Sequence, residues 1–182
     1  MSLRLFTAIA LPADLRDRLA GLAAGFPGGR RVAAENLHLT LAFIGQVPPA
    51  RLADIDEALA EIRAAPFELT LDGVGHFGTA RKVRVLWAGV EANPALAALQ
   101  ARVCTALRSL RLDIEARAYS PHVTLARFRA PPPPKRLGPW LAANGLFRAG
   151  PVRVDSFALY SSVLTAAGAH YRVEAAYPLD GD

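Results

Sequence analysis

The chain has 182 residues, 52% hydrophobic and 20% charged, the make-up of a folded globular protein with enough length for one compact unit and a sizeable core. Its longest apolar runs, such as Leu5–Leu11, are too short to span a bilayer, which excludes a helical membrane protein, and the start of the chain lacks the pattern of a secretory leader. The single Cys104 excludes an intrachain disulfide and fits a cytoplasmic location. The net charge is +5, and the only lysines are Lys82 and Lys135, so the cationic excess is arginine. Guanidinium forks bind phosphate in a bidentate way, so this excess reads either as a polyanion-binding surface or as plain solvated charge.

In chain order, Leu3–Ala10 reads as a strand. Pro12 opens a helix carrying Leu15, Leu19 and Leu22, which Gly25 to Gly29 end. Arg30–Asn36 is a polar lead-in to a strand that begins at His38 and closes at Gly45. Pro48-Pro49 begins a second helix with Leu52, Ile55, Leu59 and Ile62 on one side. Phe67, Leu69 and Leu71 alternate with polar residues as a strand does, and Gly73–Lys82 reads as a loop. Val83–Val90 is a strand, and Asn93-Pro94 starts a third helix with Leu96, Leu99, Val103 and Leu107. A short strand is expected near Leu112–Arg117, and another from His122. Four consecutive prolines make Ala130–Pro134 a stiff loop, and a short helix is expected near Lys135–Ala143. Val152–Tyr160 and Tyr171–Tyr177 read as a final hairpin around Ala166-Ala167-Gly168.

One phrase occurs twice. His38-Leu39-Thr40-Leu41-Ala42-Phe43 and His122-Val123-Thr124-Leu125-Ala126-Arg127 share four identical positions, 84 residues apart. With residues drawn independently, such a second copy is expected on the order of once in a thousand chains of this size. In a strand, residues i and i+2 share a face. Each copy therefore puts one imidazole and one hydroxyl on one side and aliphatic residues on the other. Two such strands facing a common cleft would hold two His and two Thr, the equipment for acid–base chemistry on a phosphate ester. The two halves have a similar order of elements. They predict an α+β, bilobal fold: two pseudo-symmetric lobes with antiparallel sheets flanked by helices, an active-site cleft between them, and one domain over residues 1–182.

At these residues the chain resembles the two-histidine (2H) phosphoesterase superfamily, and more narrowly the bacterial RNA 2′,3′-cyclic phosphodiesterases, also called 2′-5′ RNA ligases. The resemblance extends to Arg4–Ile9 with Leu11-Pro12, Arg84-Val85-Leu86-Trp87, Leu159-Tyr160-Ser161-Ser162, Gly168 and Tyr171. It implies metal-independent hydrolysis of an RNA terminal 2′,3′-cyclic phosphate to a 2′-phosphate, with reversible 2′-5′ ligation in some relatives. It also implies His38 as proton donor, His122 as proton acceptor, and Thr40, Thr124 and Arg127 around the phosphate. No cofactor or metal is expected, and the expected partner is an RNA end, tRNA halves among them, met by a monomer. Strict alternation puts Arg127 on the face opposite His122 and Thr124, so its role rests on the resemblance and on a strand end or bulge before it.

The chemistry suits the residues. Attack on phosphorus needs one group to take a proton from water and another to give one to the leaving ribose oxygen, and imidazole titrates near neutrality. Other readings are a 2H enzyme for a small cyclic nucleotide, a catalytically silent RNA-binding module, and a metal-dependent phosphatase. The last lacks a carboxylate cluster at ligand spacing. His76 and His170 read as structural or surface residues. Phe43 and Phe77 are candidates to stack on a base, with core packing favoured for Phe43.

Overall fold

The computed structural model describes residues 2–26, 28–79, 82–165 and 168–181. Among these residues the strands are β1 (Leu3–Ala10), β2 (Arg30–Arg31), β3 (His38–Val47), β4 (Phe67–Phe77), β5 (Val85–Val90), β6 (His122–Arg127), β7 (Arg148–Val154), β8 (Ser156–Thr165) and β9 (Gly168–Pro178). The helices are α1 (Ala13–Ala24), α2 (Leu52–Ala60), α3 (Pro94–Ser109) and α4 (Pro134–Asn144).

All strand pairs are antiparallel, and they form one sheet in the order β7-β4-β5-β6-β3-β1-β8-β9, with β2 beside β6. Its middle is thin. The two motif strands, β3 and β6, meet only where Leu39 opposes Val123. The expected lobes are thus two four-stranded halves of a shared sheet. One half is β7-β4-β5-β6 and the other β3-β1-β8-β9.

The helices cross between halves. Helix α1 follows β1 in the chain but packs against β6, while α3 follows β5 and packs against β3. Each buries an apolar stripe at helical spacing: Leu15, Leu19 and Ala23 on α1; Leu96, Leu99, Val103 and Leu107 on α3. Asn93 caps α3 by accepting a hydrogen bond from the Leu96 amide at 3.0 Å. Leu39, Leu41, Val123 and Leu125 are buried with these helices in one apolar cluster that runs through both halves. The opposite face of the sheet carries the histidines.

Several expectations shift. Gly73–Lys82 is not all loop: β4 continues to Phe77, pairing Val74 through Phe77 with Ala88 through Val85. Gly73, at φ 70°, lies in the register shift between Leu71 and Val74 that hid this continuation. The strand expected near Leu112–Arg117 does not form; Arg111, at φ 59°, turns the chain out of α3 into an irregular segment. The run Val152–Tyr160 divides at Asp155 into β7 and β8, which lie in opposite halves of the sheet. The final hairpin is β8–β9, with Thr165 opposite Gly168; Ala166 and Ala167 lie outside the described residues. Strand β3 runs past Gly45 to Val47.

Candidate active site

The repeated phrase folds the same way twice, including a bulge that alternation alone misses. On β3, Ala8 opposes Thr40, Thr7 opposes Ala42 and Phe6 opposes Phe43, which leaves Leu41 as an extra residue. On β6, Trp87 opposes Thr124 and Leu86 opposes Ala126, which leaves Leu125 extra. A bulge turns two successive side chains to the same side. Leu41 with Ala42, and Leu125 with Ala126, are accordingly all buried. The next residue returns to the face of the His and Thr. Arg127 therefore stands over the cleft with His122 and Thr124, correcting the strict count. Phe43 stands there too, 55% exposed, so it does not pack in the core as expected.

Both imidazoles are oriented by one device. His38 Nδ1 donates to the Asn36 carbonyl at 2.6 Å, and His122 Nδ1 to the Ser120 carbonyl at 2.7 Å. A carbonyl only accepts, so the proton sits on Nδ1 in each ring and the chemistry is left to Nε2. His38 Nε2 is 3.0 Å from the Thr40 hydroxyl. Aromatic neighbours fix the ring planes. Phe6 lies 4.9 Å from His38 and is stacked on Tyr160 at 5.2 Å, Tyr160 lies 6.4 Å from His38, and Tyr171 meets His38 edge-on at 5.4 Å. Phe77 meets His122 edge-on at 4.7 Å. Trp87 lies against Phe77 and over Gly75, where a Cβ would run into the indole.

The electrostatics are shared. Burial pushes the His38 imidazole below its ordinary range; the bond to Asn36 opposes this, while the Arg127 and His122 charges add to it. Burial lowers His122 as well, opposed by the Ser120 bond and aided by Arg127 and Arg117. Arg127, at the end of β6, thus bears on the imidazoles of both motif strands.

Beside the imidazoles opens a cavity of about 290 Å³, lined by Thr40, Phe43, Phe77, Gln100, Tyr119 and His122 among others. Phe43 and Phe77 come to it from opposite halves. Tyr119 also spans them, its hydroxyl donating to the Thr40 carbonyl at 2.8 Å, and burial holds this phenol well above its usual range, so it stays a donor. His76 pairs with buried Leu86 and points away from the cleft, and His170 is exposed on β9. Among the described residues no group of three or more His, Cys, Asp or Glu side chains converges to hold a metal ion, and no helix is long and apolar enough to cross a membrane.

Sequence reasoning missed Asn36 and Ser120, which act through backbone carbonyls and leave no side-chain signature. It also missed Phe6, Gln100 and Tyr119 as parts of the site. Only register and long-range packing bring these to the cleft.

Known proteins resemble the chain over most of its length. An RNA 2′,3′-cyclic phosphodiesterase of Geobacillus stearothermophilus is 35% identical over 97% of the chain, which spans 57% of that relative. One of Archaeoglobus fulgidus is 31% identical over 93% of the chain and 97% of the relative. The crystal structure of E. coli LigT complexed with 3′-AMP superposes with a TM-score of 0.80 over 99% of both chains, at 31% identity. A family model described as the 2′-5′ RNA ligase superfamily matches residues 11–165, and the chain belongs to that family.

Proposed function

We propose that this protein hydrolyses the 2′,3′-cyclic phosphate at an RNA end to a 2′-phosphate, as a single domain over residues 1–182 working as a cytoplasmic monomer. Cut tRNA halves are among the ends it would take, and the same groups run in reverse would form a 2′-5′ linkage. The observation that carries this reading is the symmetric pair of imidazoles, each with Nδ1 fixed on the carbonyl two residues upstream and Nε2 left for proton transfer.

In the proposed reaction, water attacks phosphorus in line with the departing ribose O3′. His122 Nε2 takes the proton from water, and His38 Nε2 gives one to O3′. Thr40 and Thr124 donate to the non-bridging oxygens, and Arg127 offsets the charge that builds on them. The terminal base enters the cavity between Phe43 and Phe77. Proton donor and acceptor come from different halves of the sheet, which suits their duties on opposite sides of phosphorus.

The test is turnover of a short oligonucleotide ending in a 2′,3′-cyclic phosphate, with EDTA present and the product's phosphate position identified. A 2′-phosphate product is expected, with a loss of roughly 10²–10⁴-fold in rate for His122→Ala. A 3′-phosphate product, or near-full activity in that variant, would overturn the assignment.

A further inference from the structure

On the helix side of the sheet, between α1 and α4, runs a second and larger groove, of about 760 Å³. Arg18, Lys135 and Arg136 line it, together with Gly21 and Trp140. We infer that this groove binds the phosphate backbone of an RNA strand whose 3′ end lies in the cleft. The inference rests on the cyclic-phosphate reading and extends it from the terminal nucleotide to the body of the substrate.

Charge segregation is the first argument. Residues 116–154 contain seven basic side chains and no acidic one, so this stretch alone exceeds the net +5 of the whole chain. It includes Arg127 in the cleft and Lys135 and Arg136 in the groove. Among the described residues none of Arg18, Arg127, Arg129, Lys135 and Arg136 forms an ion pair with a carboxylate. Lys135 and Arg136 occupy the first turn of α4, which holds no acidic residue. Cations at that end oppose the helix dipole. The arrangement costs the isolated protein stability and is relieved by a bound anion.

Continuity with the cleft is the second. Arg127 ends β6, and Arg129, Lys135 and Arg136 follow it along the chain into the first turn of α4. A strand leaving the cleft past Arg127 would reach the groove around this end of β6, passing from the histidine face of the sheet to its helix face with cations along the way. Shape is the third argument. Gly21 lies inside α1, where glycine weakens a helix, yet a Cβ there would meet nothing within 4 Å. Packing does not require this glycine; its effect is to keep the wall of the groove low. Arg18 is held at the groove by a 3.0 Å bond to the Arg148 carbonyl and by the Phe147 ring, 5.5 Å from its guanidinium carbon.

The experiment compares two substrates, 2′,3′-cyclic AMP and an oligoribonucleotide of about 12 nucleotides with the same cyclic end. It uses the full chain, the triple variant Arg18→Gln/Lys135→Gln/Arg136→Gln, and Gly21→Gln, which fills the groove without entering the cleft. For the oligomer, the triple variant should raise KM by roughly tenfold and flatten the slope of log KM against log salt by about 2, near 0.7 per lost contact to a single strand. Gly21→Gln should raise the oligomer KM without changing that slope much. Turnover of cyclic AMP should be unchanged in both. An oligomer KM equal to wild type in both variants, or equal losses on both substrates, would overturn the groove assignment while leaving the cleft reading intact. So would variant-sensitive retention on anionic phospholipid vesicles with an unchanged oligomer KM. Wild-type failure to turn over either substrate would instead remove the cyclic-phosphate reading, and this inference with it.

Discussion

At the scale of single residues, burial first and the Arg127 charge after it lower the working pH of the pair. The guanidinium lowers both imidazoles from their ordinary value of 6.5, on top of burial. In the free enzyme the base limb and the acid limb of kcat/KM should therefore lie on the acid side of 6.5, giving a bell. Arg127→Gln removes a lowering influence from each ring, so both limbs should move to higher pH while the maximum rate falls. A pH profile whose limbs stay in place would mean that Arg127 does not act on both rings. An anionic phosphate opposes the same influence when bound, so the limbs of kcat should lie at higher pH than those of kcat/KM. The same shifts bear on folding. The unfolded rings keep their ordinary affinity for protons and the folded rings bind them more weakly. The stability is thus fully present above 6.5 and is lost as pH falls through the lowered folded values. Urea unfolding at pH 7 and pH 5 should show the drop, and His38→Gln should lessen it.

At the scale of elements, most of the framework was legible because it rests on local patterns. A short apolar run gave β1, alternation gave the start of β4, and Asn93-Pro94 gave the first turn of α3. The repeat made both motif strands visible, with His38, Thr40, His122 and Thr124 on one face. What escaped was set by partners distant in sequence. The Leu41 and Leu125 bulges are defined by register against β1 and β5, and they decide where Phe43 and Arg127 point. The continuation of β4 to Phe77 depends on pairing with β5, and a stretch with Gly73, Gly75 and Gly78 gave no strand signal of its own. Gly75 has a specific duty there, making room for the Trp87 indole that in turn backs Phe77 against His122. Gly75→Ala should displace the indole, cost about 1–3 kcal/mol in urea unfolding, shift tryptophan emission and slow turnover. Unchanged emission and activity would show that Trp87 is not confined by this contact.

At the scale of the whole molecule, the two halves share little backbone pairing, and the cross-braces between them cluster at the site. Leu39 opposite Val123 is the one register pair between β3 and β6, and the Tyr119 hydroxyl bonds to the Thr40 carbonyl nearby. A phosphate or 2′-nucleotide held by residues of both halves should fasten this junction. Binding should raise Tm by mass action and slow amide hydrogen exchange in residues 38–41 and 122–125 together, with less effect in β7 and β9. Protection confined to one motif strand would show that the ligand does not bridge the halves. Two lobes, each with one motif strand, followed from the repeated order of elements; the strands that make up each half, their union in a single sheet and the exchange of helices did not, because nothing local in β3 or β6 records which strand lies beside it.

The sheet order also fixes a calendar for synthesis. Strand β1 is made first, yet one of its two neighbours is β8, and β8 is itself completed by β9. The half that holds His38 must wait for residues 156–178, while the half that holds His122 has all its strands once residue 154 has left the ribosome. Until then β1 offers an unpaired edge to any passing strand. A chain that stops early would therefore lose the surroundings of His38, although it lies nearer the start, before those of His122.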